Sequence, residues 1–283
     1  MDASSPVPPI EGYLAYLERA GIFPGRAENF HRQPDQRSPL IPDGPNPRTH
    51  ALPGGRKISE FLDRLAGIGA DHATLSVAAE LEELGDALRG KTVVDVGCGT
   101  GILATLAALL GAVSIGTDID QRAVALAEKT AAANRASLKV VHGSLCAPLA
   151  NDLSVDLFIA NLPHKPCRPR DTLPVSQAGG PQGDAVFDSA LAEFVRRQTP
   201  GGQLLFFMHS LPHPRVLKNI SRFYSLQMRS WKLRWKAPRE SEDLWAYFRK
   251  RHEKGISYLY SDTGHDAMVA GVWLCTRKRT ETA

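Results

Sequence analysis

Residues 91–101 read KTVVDVGCGTG, an apolar strand that runs into three alternating glycines. Gly97, Gly99 and Gly101 carry no Cβ, so the chain can turn sharply there and a ligand can approach the backbone closely. The residues that follow, ILATLAALLGA, place leucines at helical spacing. The pattern therefore predicts a glycine loop between a strand and a helix N-terminus, an arrangement that dinucleotide-binding and nucleoside-binding α/β folds share.

A second strand narrows the choice of ligand. Residues 112–120 read AVSIGTDID, and Asp118 lies at the end of this strand, about 20 residues beyond the glycines. A carboxylate at that position can accept hydrogen bonds from both hydroxyls of a ribose. We therefore expect a ligand with a free ribose diol.

The fourth strand ends in an asparagine. Residues 155–166 read VDLFIANLPHKP, and this strand end resembles the NPPY element of class I S-adenosylmethionine-dependent methyltransferases. From Asp71 to Pro166 the chain is similar to the ribosomal protein L11 methyltransferase group, through HAT at residues 72–74, the glycine loop and TDID at residues 117–120. From Asn161 to Gly202 it resembles the HemK-type glutamine methyltransferases. S-adenosylmethionine is the cofactor that these resemblances imply.

The order of apolar segments indicates an α/β fold. We predict helices at residues 58–68 and 74–88, followed by strands near residues 92–96, 114–118, 138–142, 156–161 and 203–209. Such alternation predicts a mostly parallel sheet with helices on both faces. Two last strands, at residues 226–236 and 267–276, fit the terminal antiparallel hairpin of the Rossmann-like class I methyltransferase sheet.

The first 57 residues differ from the rest because they hold 10 of the 20 prolines. Proline at that density disfavours helices and sheets, and only EGYLAYLERAGIF, residues 11–23, predicts a short amphipathic helix. A disordered tail and an ordered lid over the cofactor are both compatible with this composition. We divide the chain into an extension at residues 1–57 and a methyltransferase domain at residues 58–283, with substrate-loop insertions at about 165–184 and 238–264.

The resemblance implies specific cofactor contacts at the carboxyl ends of the strands. The glycine loop would face the methionine part of the cofactor, Asp118 the ribose, and Ile119 one face of the adenine. Many relatives carry Asp at the position of Ser144, where serine can still hydrogen-bond the adenine edge. The L11-type element implies that Thr74 lies near the cofactor. The alternative is that Thr74 is an ordinary residue of a helix N-terminus. The implied cofactor-binding residues are Thr74, Asp95, Gly97, Cys98, Gly99, Gly101, Asp118, Ile119, Ser144, Leu145 and Asn161.

Asn161 is the residue on which the expected chemistry depends. In NPPY enzymes the asparagine oxygen and the carbonyl of the next residue, here Leu162, accept hydrogen bonds from a planar NH2 group. Methyl transfer then follows from proximity and alignment. His164 stands at the place of the NPPY tyrosine, and an imidazole can stack on a substrate, accept its hydrogen bond or act as a base. Pro163 matches a proline of the NPPY element and can fix the turn. The simpler alternative for His164 is an exposed loop histidine without a role.

Two further segments bear on the substrate. Lys165, Arg168 and Arg170 follow the NLPH motif and indicate either an anionic acceptor or ordinary surface charge. Residues 215–254 hold 12 Lys or Arg against 4 Asp or Glu, with interleaved tryptophans. Alternation along residues 231–236 favours a strand with one buried aromatic face over a nucleic-acid surface. Aromatic residues in the segment 238–264 could cover a substrate.

Composition agrees with an intracellular enzyme. The chain has 283 residues, is 43% hydrophobic and 23% charged, and carries a net charge of +4, which suits one sizeable α/β core. The four cysteines are scattered and predict neither a disulfide framework nor a metal site. No apolar run has the length of a membrane span, so we expect a cytoplasmic protein.

Three functions remain open from the sequence. The preferred one is N-methylation of a small molecule, or of a modified amino acid or peptide. The alternative is N-methylation of a protein such as a ribosomal component, with Gln or Lys side chains as acceptors. The third is a non-catalytic RNA-binding protein, against which the set Gly97, Gly99, Gly101, Asp118 and Asn161 argues, because a pure binder does not need it.

Overall fold

The computed structural model describes residues 8–25, 30–35 and 46–279. Its helices are α1 (Pro9–Arg19), α2 (His72–Leu84), α3 (Ile102–Leu109), α4 (Gln121–Ala133), α5 (Ala185–Arg197), α6 (Arg215–Phe223) and α7 (Glu242–Glu253). Its strands are β1 (His31–Arg32), β2 (Arg48–Ala51), β3 (Lys57–Glu60), β4 (Thr92–Val96), β5 (Val113–Asp118), β6 (Leu138–His142), β7 (Val155–Ala160), β8 (Gln198–His209), β9 (Tyr224–Ser225), β10 (Met228–Trp235), β11 (Tyr260–Asp262) and β12 (His265–Arg277).

A ten-stranded sheet forms the centre of the molecule, with the strand order β1-β10-β12-β8-β7-β4-β5-β6 and with β9 and β11 paired to β12. The strands from β8 to β6 in this order are parallel, and β12 is antiparallel to both β8 and β10. This arrangement confirms the predicted mostly parallel sheet with a terminal antiparallel hairpin. It also brings the carboxyl ends of β4, β5, β6 and β7 to one edge, where open α/β sheets form their ligand crevice.

Alternating side chains of the central strands enter two separate apolar layers. On β7, Phe158 packs in the layer that contains α1 and α5, whereas Leu157 and Ile159 pack in the layer that contains α2 and α3. Because each face of the sheet is covered by helices, the central strands read as continuous apolar runs rather than as alternating ones. The sheet edge that carries the loops is therefore held by two cores at once.

The predicted helix at residues 58–68 is wrong. Lys57–Glu60 is instead strand β3, which pairs with β2 through Thr49 opposite Ser59. Ile58 and Glu60 are buried while Leu65, which gave the segment its helical spacing, is fully exposed at 103%. A period of two therefore prevails over residues 57–60, and the proline-rich region does contain sheet.

Other boundaries differ from the prediction by a few residues. Helix α2 begins at His72, where the Asp71 carboxylate accepts hydrogen bonds from the amides of Ala73 and Thr74. It ends at Leu84, because Gly85 adopts φ +47° and a short 3-10 turn, Gly85–Leu88, follows. Strand β8 begins at Gln198, five residues earlier than predicted.

Strand β10 is buried on both faces, not on one. Trp231 and Leu233 are buried as predicted, but Lys232 and Arg234 on the opposite face are buried as well. Lys232 donates to the carbonyl of His72 at 3.1 Å, and Arg234 pairs with Glu240. Lys232 and Arg234 of this strand therefore form internal contacts.

The described part of the N-terminal extension is packed on the core. Tyr13 and Leu17 of α1 and the following Ile22 are buried in the same apolar layer as Phe158. Residues 1–7, 26–29 and 36–45, which include much of the proline-rich run, lie outside the described residues. Among the described helices, none combines the length and the apolar character that a membrane crossing requires.

Glu60 joins the β2–β3 hairpin to the glycine loop. Its buried carboxylate accepts hydrogen bonds from Arg48 at 2.8 Å, from His50 at 2.7 Å and from the hydroxyl of Thr100, within the loop, at 2.7 Å. Burial alone would raise the pKa of Glu60, but the hydrogen bonds from His50, Thr100 and the Ala70 amide, together with the Arg48 charge, lower it below 4.5.

Glu60→Gln removes the charge from this buried network, and we expect it to lower the free energy of unfolding by about 2 to 4 kcal/mol. A carboxyl with a lowered folded pKa stabilises the protein above the unfolded value near 4.5, and this contribution is lost as the pH falls through the folded pKa. Urea denaturation between pH 3 and 7 measures both effects, with exposed Glu83→Gln as the control. Equal stability of the two variants at pH 7 would contradict the assignment.

Candidate functional site

The glycine loop between β4 and α3 is fastened to the end of β5 by two backbone donors. The Cys98 amide donates to the carbonyl of Thr117 at 2.9 Å, and the Gly99 amide donates to the Asp118 carboxylate at 2.8 Å. Gly97, Gly99 and Gly101 have φ angles of +70°, +55° and +72°, a region that non-glycine residues rarely adopt. The loop is therefore a left-handed turn locked against the neighbouring strand.

The three glycines serve different purposes. A Cβ on Gly99 would meet no atom within 4 Å, so this position faces open space in which a ligand can approach. A Cβ on Gly101 would lie 2.6 Å from the Cβ of Ala127, because the loop packs directly on α4 there. A Cβ on Gly97 would lie 3.1 Å from Leu162, which brings the glycine loop against the residue after Asn161.

Asp118 has a fixed carboxylate. One oxygen accepts from the Gly99 amide and the other accepts from the Asp120 amide at 2.9 Å. Each oxygen keeps a lone pair, so two hydroxyls of a sugar can still donate to this group. The next residue, Ile119, is 65% exposed, which provides a free apolar surface beside the carboxylate.

Asp95 and Cys98 are buried, and their side chains hold the loop rather than face open space. The Asp95 carboxylate accepts from the Ala104 amide of α3 at 3.2 Å, and burial raises its pKa to about 7, with a further contribution from Asp118. The Cys98 sulfur packs against Gly116 of β5, and burial raises its pKa as well. For Cys98, only the backbone is placed to contact a ligand.

The turn after β6 approaches the same edge of the sheet. The Gly143 amide donates to the Asp118 carbonyl at 2.8 Å, and the Leu145 carbonyl accepts from the Thr117 hydroxyl at 2.8 Å. Ser144 between them is exposed, whereas Leu145, at φ +49°, is partly buried against the core. The structure therefore brings Ser144 to the side of the crevice on which Ile119 lies.

Asn161 follows β7 and is oriented by a short chain of hydrogen bonds. The Asp71 carboxylate can only accept, so the Thr74 hydroxyl, 3.3 Å away, donates to it. That hydroxyl then accepts from the Asn161 amide nitrogen at 3.1 Å. The Asn161 oxygen receives no hydrogen bond from the described residues and is left to accept one from a ligand.

His164 is buried, and both of its ring nitrogens have partners. Its Nδ1 donates to the Leu162 carbonyl at 2.7 Å, which can only accept. Its Nε2 therefore carries the lone pair, and it accepts from the backbone amide of His209 at 3.1 Å. This is at odds with the hypothesis that His164 is a free base or an exposed loop residue, because no nitrogen of this ring is available to a substrate. The Leu162 carbonyl has one lone pair left.

The hydrogen-bond chain continues into His209 at the end of β8. His209 Nδ1 lies 2.9 Å from His164 Nε2, and two facing lone pairs would repel each other, so Nδ1 of His209 carries hydrogen. Its Nε2 is then a bare acceptor, buried and without a hydrogen-bond partner among the described residues. The ring centroids of His72 and His209 are 5.8 Å apart, and both nitrogens of His72 are also buried and without a hydrogen-bond partner among the described residues.

Cations surround this histidine cluster, which consists of His72, His164 and His209. Burial lowers the pKa of His72 and that of His164 to about 4 each, and it lowers that of His209 well below 6.5. Lys165 contributes to the lowering for all three, and Arg234 for His72 and His209. The nearest opposing charge is Asp71, whose carboxylate is 3.9 Å from His72 Nδ1.

The three predicted cations of the loop 165–184 have different environments. Arg168 is paired with Asp171 and Asp243, each at 2.6 Å, and Arg170 lies 3.7 Å from Asp243. Lys165 has no ion-pair partner among the described residues and donates to the Gln177 side chain at 2.8 Å.

Of the aromatic residues between β10 and β12, Trp245 and Phe248 are buried in a small core of their own, and Tyr258 contacts α1.

Three residues of this site, His72, His209 and Lys232, escaped the sequence analysis. His72 belongs to the HAT motif, but its neighbour Thr74 carried the resemblance. His209 and Lys232 come from two other strands, and only the strand order β10-β12-β8 brings them toward α2 and the Asn161 loop. Residue spacing within a single segment of the sequence does not predict such a cluster.

We expect alanine substitutions at Gly99 and Gly101 to lower the free energy of unfolding by different amounts. Gly101→Ala introduces both a strained φ and a clash with α4, for which we expect a loss of about 2 to 5 kcal/mol in the free energy of unfolding. Gly99→Ala introduces only the strained φ, at about 1 to 2 kcal/mol. Equilibrium denaturation of both variants measures the difference, and equal losses would refute the distinction.

The histidine cluster predicts a specific pH dependence. The imidazoles of His72, His164 and His209 stay neutral from pH 8 down to pH 5, because their folded pKa values lie below the ordinary 6.5. The unfolded chain takes up protons near pH 6.5, so the free energy of unfolding decreases as the pH falls from about 6.5 toward 4. Nitrogen-15 NMR of labelled histidines reports each ring, and a titration of any of the three near pH 6.5 would contradict this.

Comparison with known proteins agrees with the geometry. The family model of ribosomal protein L11 methyltransferase (PrmA) matches residues 66–167. The L11 methyltransferase of Caulobacter sp. (strain K31) is 39% identical over 103 residues, which are 35% of this chain and 36% of that protein. The L11 methyltransferase of Histophilus somni (strain 2336) is 35% identical over 152 residues, 52% of this chain and 49% of that protein. The chain thus spans half or less of the length of these curated relatives.

A solved structure extends the likeness beyond the matched segment. The 16S rRNA N2 G1207 methyltransferase of T. thermophilus, in complex with AdoMet and guanosine, superposes with a TM-score of 0.52 at 18% identity and covers 82% of this chain and 50% of its own. At this identity the likeness concerns the fold. The chain therefore has the Rossmann-like fold of the class I S-adenosylmethionine-dependent methyltransferases, and its segment 66–167 is similar to the ribosomal protein L11 methyltransferases.

Proposed function

We propose that this protein is an S-adenosylmethionine-dependent methyltransferase that methylates nitrogen in a protein acceptor. The observation that carries the proposal is the orientation of Asn161. Its amide nitrogen is held by Thr74 at 3.1 Å, so its oxygen is directed to accept a hydrogen bond at the end of β7. The neighbouring Leu162 touches the glycine loop at Gly97, and the acceptor nitrogen and the cofactor therefore meet between these two loops.

The residues present fit the cofactor. Gly99 leaves open space for the methionine part of the cofactor along the loop backbone, and the fixed Asp118 carboxylate has two lone pairs for the ribose diol. Exposed Ile119 offers a face to the adenine, and the Ser144 hydroxyl can hydrogen-bond its edge. When bound, S-adenosylmethionine supplies an electrophilic methyl group on a sulfonium.

The chain itself orients the acceptor. Asn161 Oδ1 and the free lone pair of the Leu162 carbonyl accept the hydrogens of an NH2 group, which aims the nitrogen lone pair along the line of methyl transfer. His164 Nδ1 donates to the Leu162 carbonyl at 2.7 Å and holds it in place, so His164 acts as a positioning residue.

The surrounding charge favours an uncharged nitrogen. Lys165, Lys232 and Arg234 lie around the histidine cluster, with Asp71 as the near opposing charge. An ammonium would be repelled there, whereas a primary amide or a deprotonated amine would not. This supports a glutamine-like amide or a neutral amine as the acceptor group.

A protein acceptor is supported by the names of the relatives, which are ribosomal protein L11 methyltransferases. A second candidate is a small molecule that carries the same nitrogen group. It is favoured by one observation, a cavity of about 960 Å³ beside Lys165, since small-molecule sites typically have about 300 to 1,000 Å³.

Transfer of a labelled methyl group tests the proposed function. Purified protein is incubated with methyl-labelled S-adenosylmethionine and either purified ribosomal protein L11 or total ribosomal proteins, and the products are mapped by mass spectrometry. We expect methyl incorporation on nitrogen and a loss of about 100-fold to 1,000-fold in rate for Asn161→Ala, because alignment of the nitrogen is removed. Asn219→Ala on the surface of α6 is the matched control, since among the described residues its side chain hydrogen-bonds Asp188 alone.

Two outcomes of this assay would overturn parts of the proposal. Full activity of Asn161→Ala would remove Asn161 from the acceptor site. Incorporation into a low-molecular-weight fraction of a cell extract, with none into protein, would favour the small-molecule candidate instead.

A further inference from the structure

A cavity of about 960 Å³ opens between the loop that follows β7 and the segment that joins β10 to α7. Lys165 and Gln177 line it from the loop, Arg239 and Glu240 line it from the segment, and Met268 of β12 also borders it. Lys165 follows His164 directly and is four residues beyond Asn161. The cavity therefore adjoins the loop on which we expect the methyl acceptor to bind.

The acidic side chains of this cavity are already neutralised. Asp171 and Asp243 are both paired with Arg168 at 2.6 Å, and Glu240 is bound by both terminal nitrogens of Arg234. A carboxylate held by an arginine fork has little capacity left for a further cation. The acidic residues that line this cavity therefore do not provide a binding site for a positively charged group.

The basic side chains are not all neutralised. Lys165 Nζ has one hydrogen-bond partner among the described residues, the neutral Gln177 oxygen at 2.8 Å, and Arg239 is exposed without an ion pair there. Burial and the nearby Arg234 lower the pKa of Lys165 to about 8, against the opposing effect of Glu240 and Asp71, so its ammonium is still largely protonated at pH 7. A partly buried ammonium whose one hydrogen-bond partner is neutral gains from an added counter-ion.

We propose that this cavity binds a carboxylate of the methyl acceptor through the Lys165 ammonium, which Gln177 holds in place. The inference rests on the proposed function and adds a second recognition point to it. A single ammonium without an arginine fork or a nest of backbone amides suits a monovalent carboxylate better than a phosphate. The carboxylate comes either from a free amino-acid-like molecule or from an acidic residue of a polypeptide near the methylated one.

The test follows the Lys165 side chain itself. NMR of the full chain with nitrogen-15 labelled lysine measures the pKa of Lys165, with the signal assigned by its loss in Lys165→Met. N-acetylglycine is the first probe, and N-acetylglycinamide is its uncharged match. We expect N-acetylglycine, but not the amide, to raise the Lys165 pKa from about 8. Lys165→Met should weaken N-acetylglycine binding about 10-fold or more, whereas Lys236→Met, whose ammonium pairs with exposed Glu242 at 3.0 Å, should not.

A second arm separates the two sources of the carboxylate. A short peptide with blocked ends and one internal glutamate replaces N-acetylglycine as the probe. A shift with N-acetylglycine alone assigns the cavity to a free or terminal carboxylate, and a shift with the peptide assigns it to an acidic residue. No shift with either probe overturns the proposal.

The inference and the proposed function fail separately. Calorimetric titration with S-adenosylhomocysteine reports the cofactor site and should be unchanged in Lys165→Met, which also shows that the variant is folded. Absence of a Lys165 response to either carboxylate probe in the unaltered protein, with intact S-adenosylhomocysteine binding, would overturn the cavity assignment alone. Absence of S-adenosylhomocysteine binding in the unaltered protein would overturn the proposed function.

Discussion

The hydrogen bond from the Gly99 amide to the Asp118 carboxylate, 2.8 Å long, is the contact on which the site depends. It ties the glycine loop after β4 to the end of β5, and so fixes the open space at Gly99 relative to the carboxylate that would receive a ribose. Glu60 supports the same loop from the other side through Thr100. The β2–β3 hairpin is therefore part of the frame that holds the loop, although its first strand, β2, lies within the proline-rich extension.

On the side of the crevice near Asn161, the surrounding charges and burial determine the protonation state of the histidine cluster. The chain from the Leu162 carbonyl through His164 to His209 ends in the unpartnered Nε2 of His209, and burial among cations keeps the imidazoles of His72, His164 and His209 neutral. Histidines held in this state position groups and accept hydrogen bonds, but they are poor bases near neutral pH. Under the proposed function, methyl transfer in such a site would rely on an acceptor nitrogen that arrives uncharged, in agreement with the role proposed for Asn161.

Local patterns predicted what depends on neighbouring residues in the chain. The alternation of strands and helices and the glycine loop could be predicted, because each follows from hydrophobic period or turn chemistry. Asn161 was singled out by the resemblance of its strand end to the NPPY element. The helix expected at residues 58–68 was wrong, since Leu65 points to solvent while Ile58 and Glu60 are buried by pairing with β2. The surroundings of His164 could not be predicted, because His209 and His72 reach it only through the strand order and the packing of α2. Burial of both faces of β10 depends on the same tertiary contacts.

Calorimetric titration of the purified protein with S-adenosylhomocysteine, alongside Asp118→Ala, tests the central claim most directly. Asp152, which is exposed and has no ion pair with the described residues, gives the matched control Asp152→Ala. The account predicts one binding site in the unaltered protein and in the control, and an affinity lower by about 100-fold in Asp118→Ala, because hydrogen bonds to a charged group are lost. Binding of equal strength in all three proteins, or no binding in any of them, would contradict a cofactor site at the ends of β4 and β5.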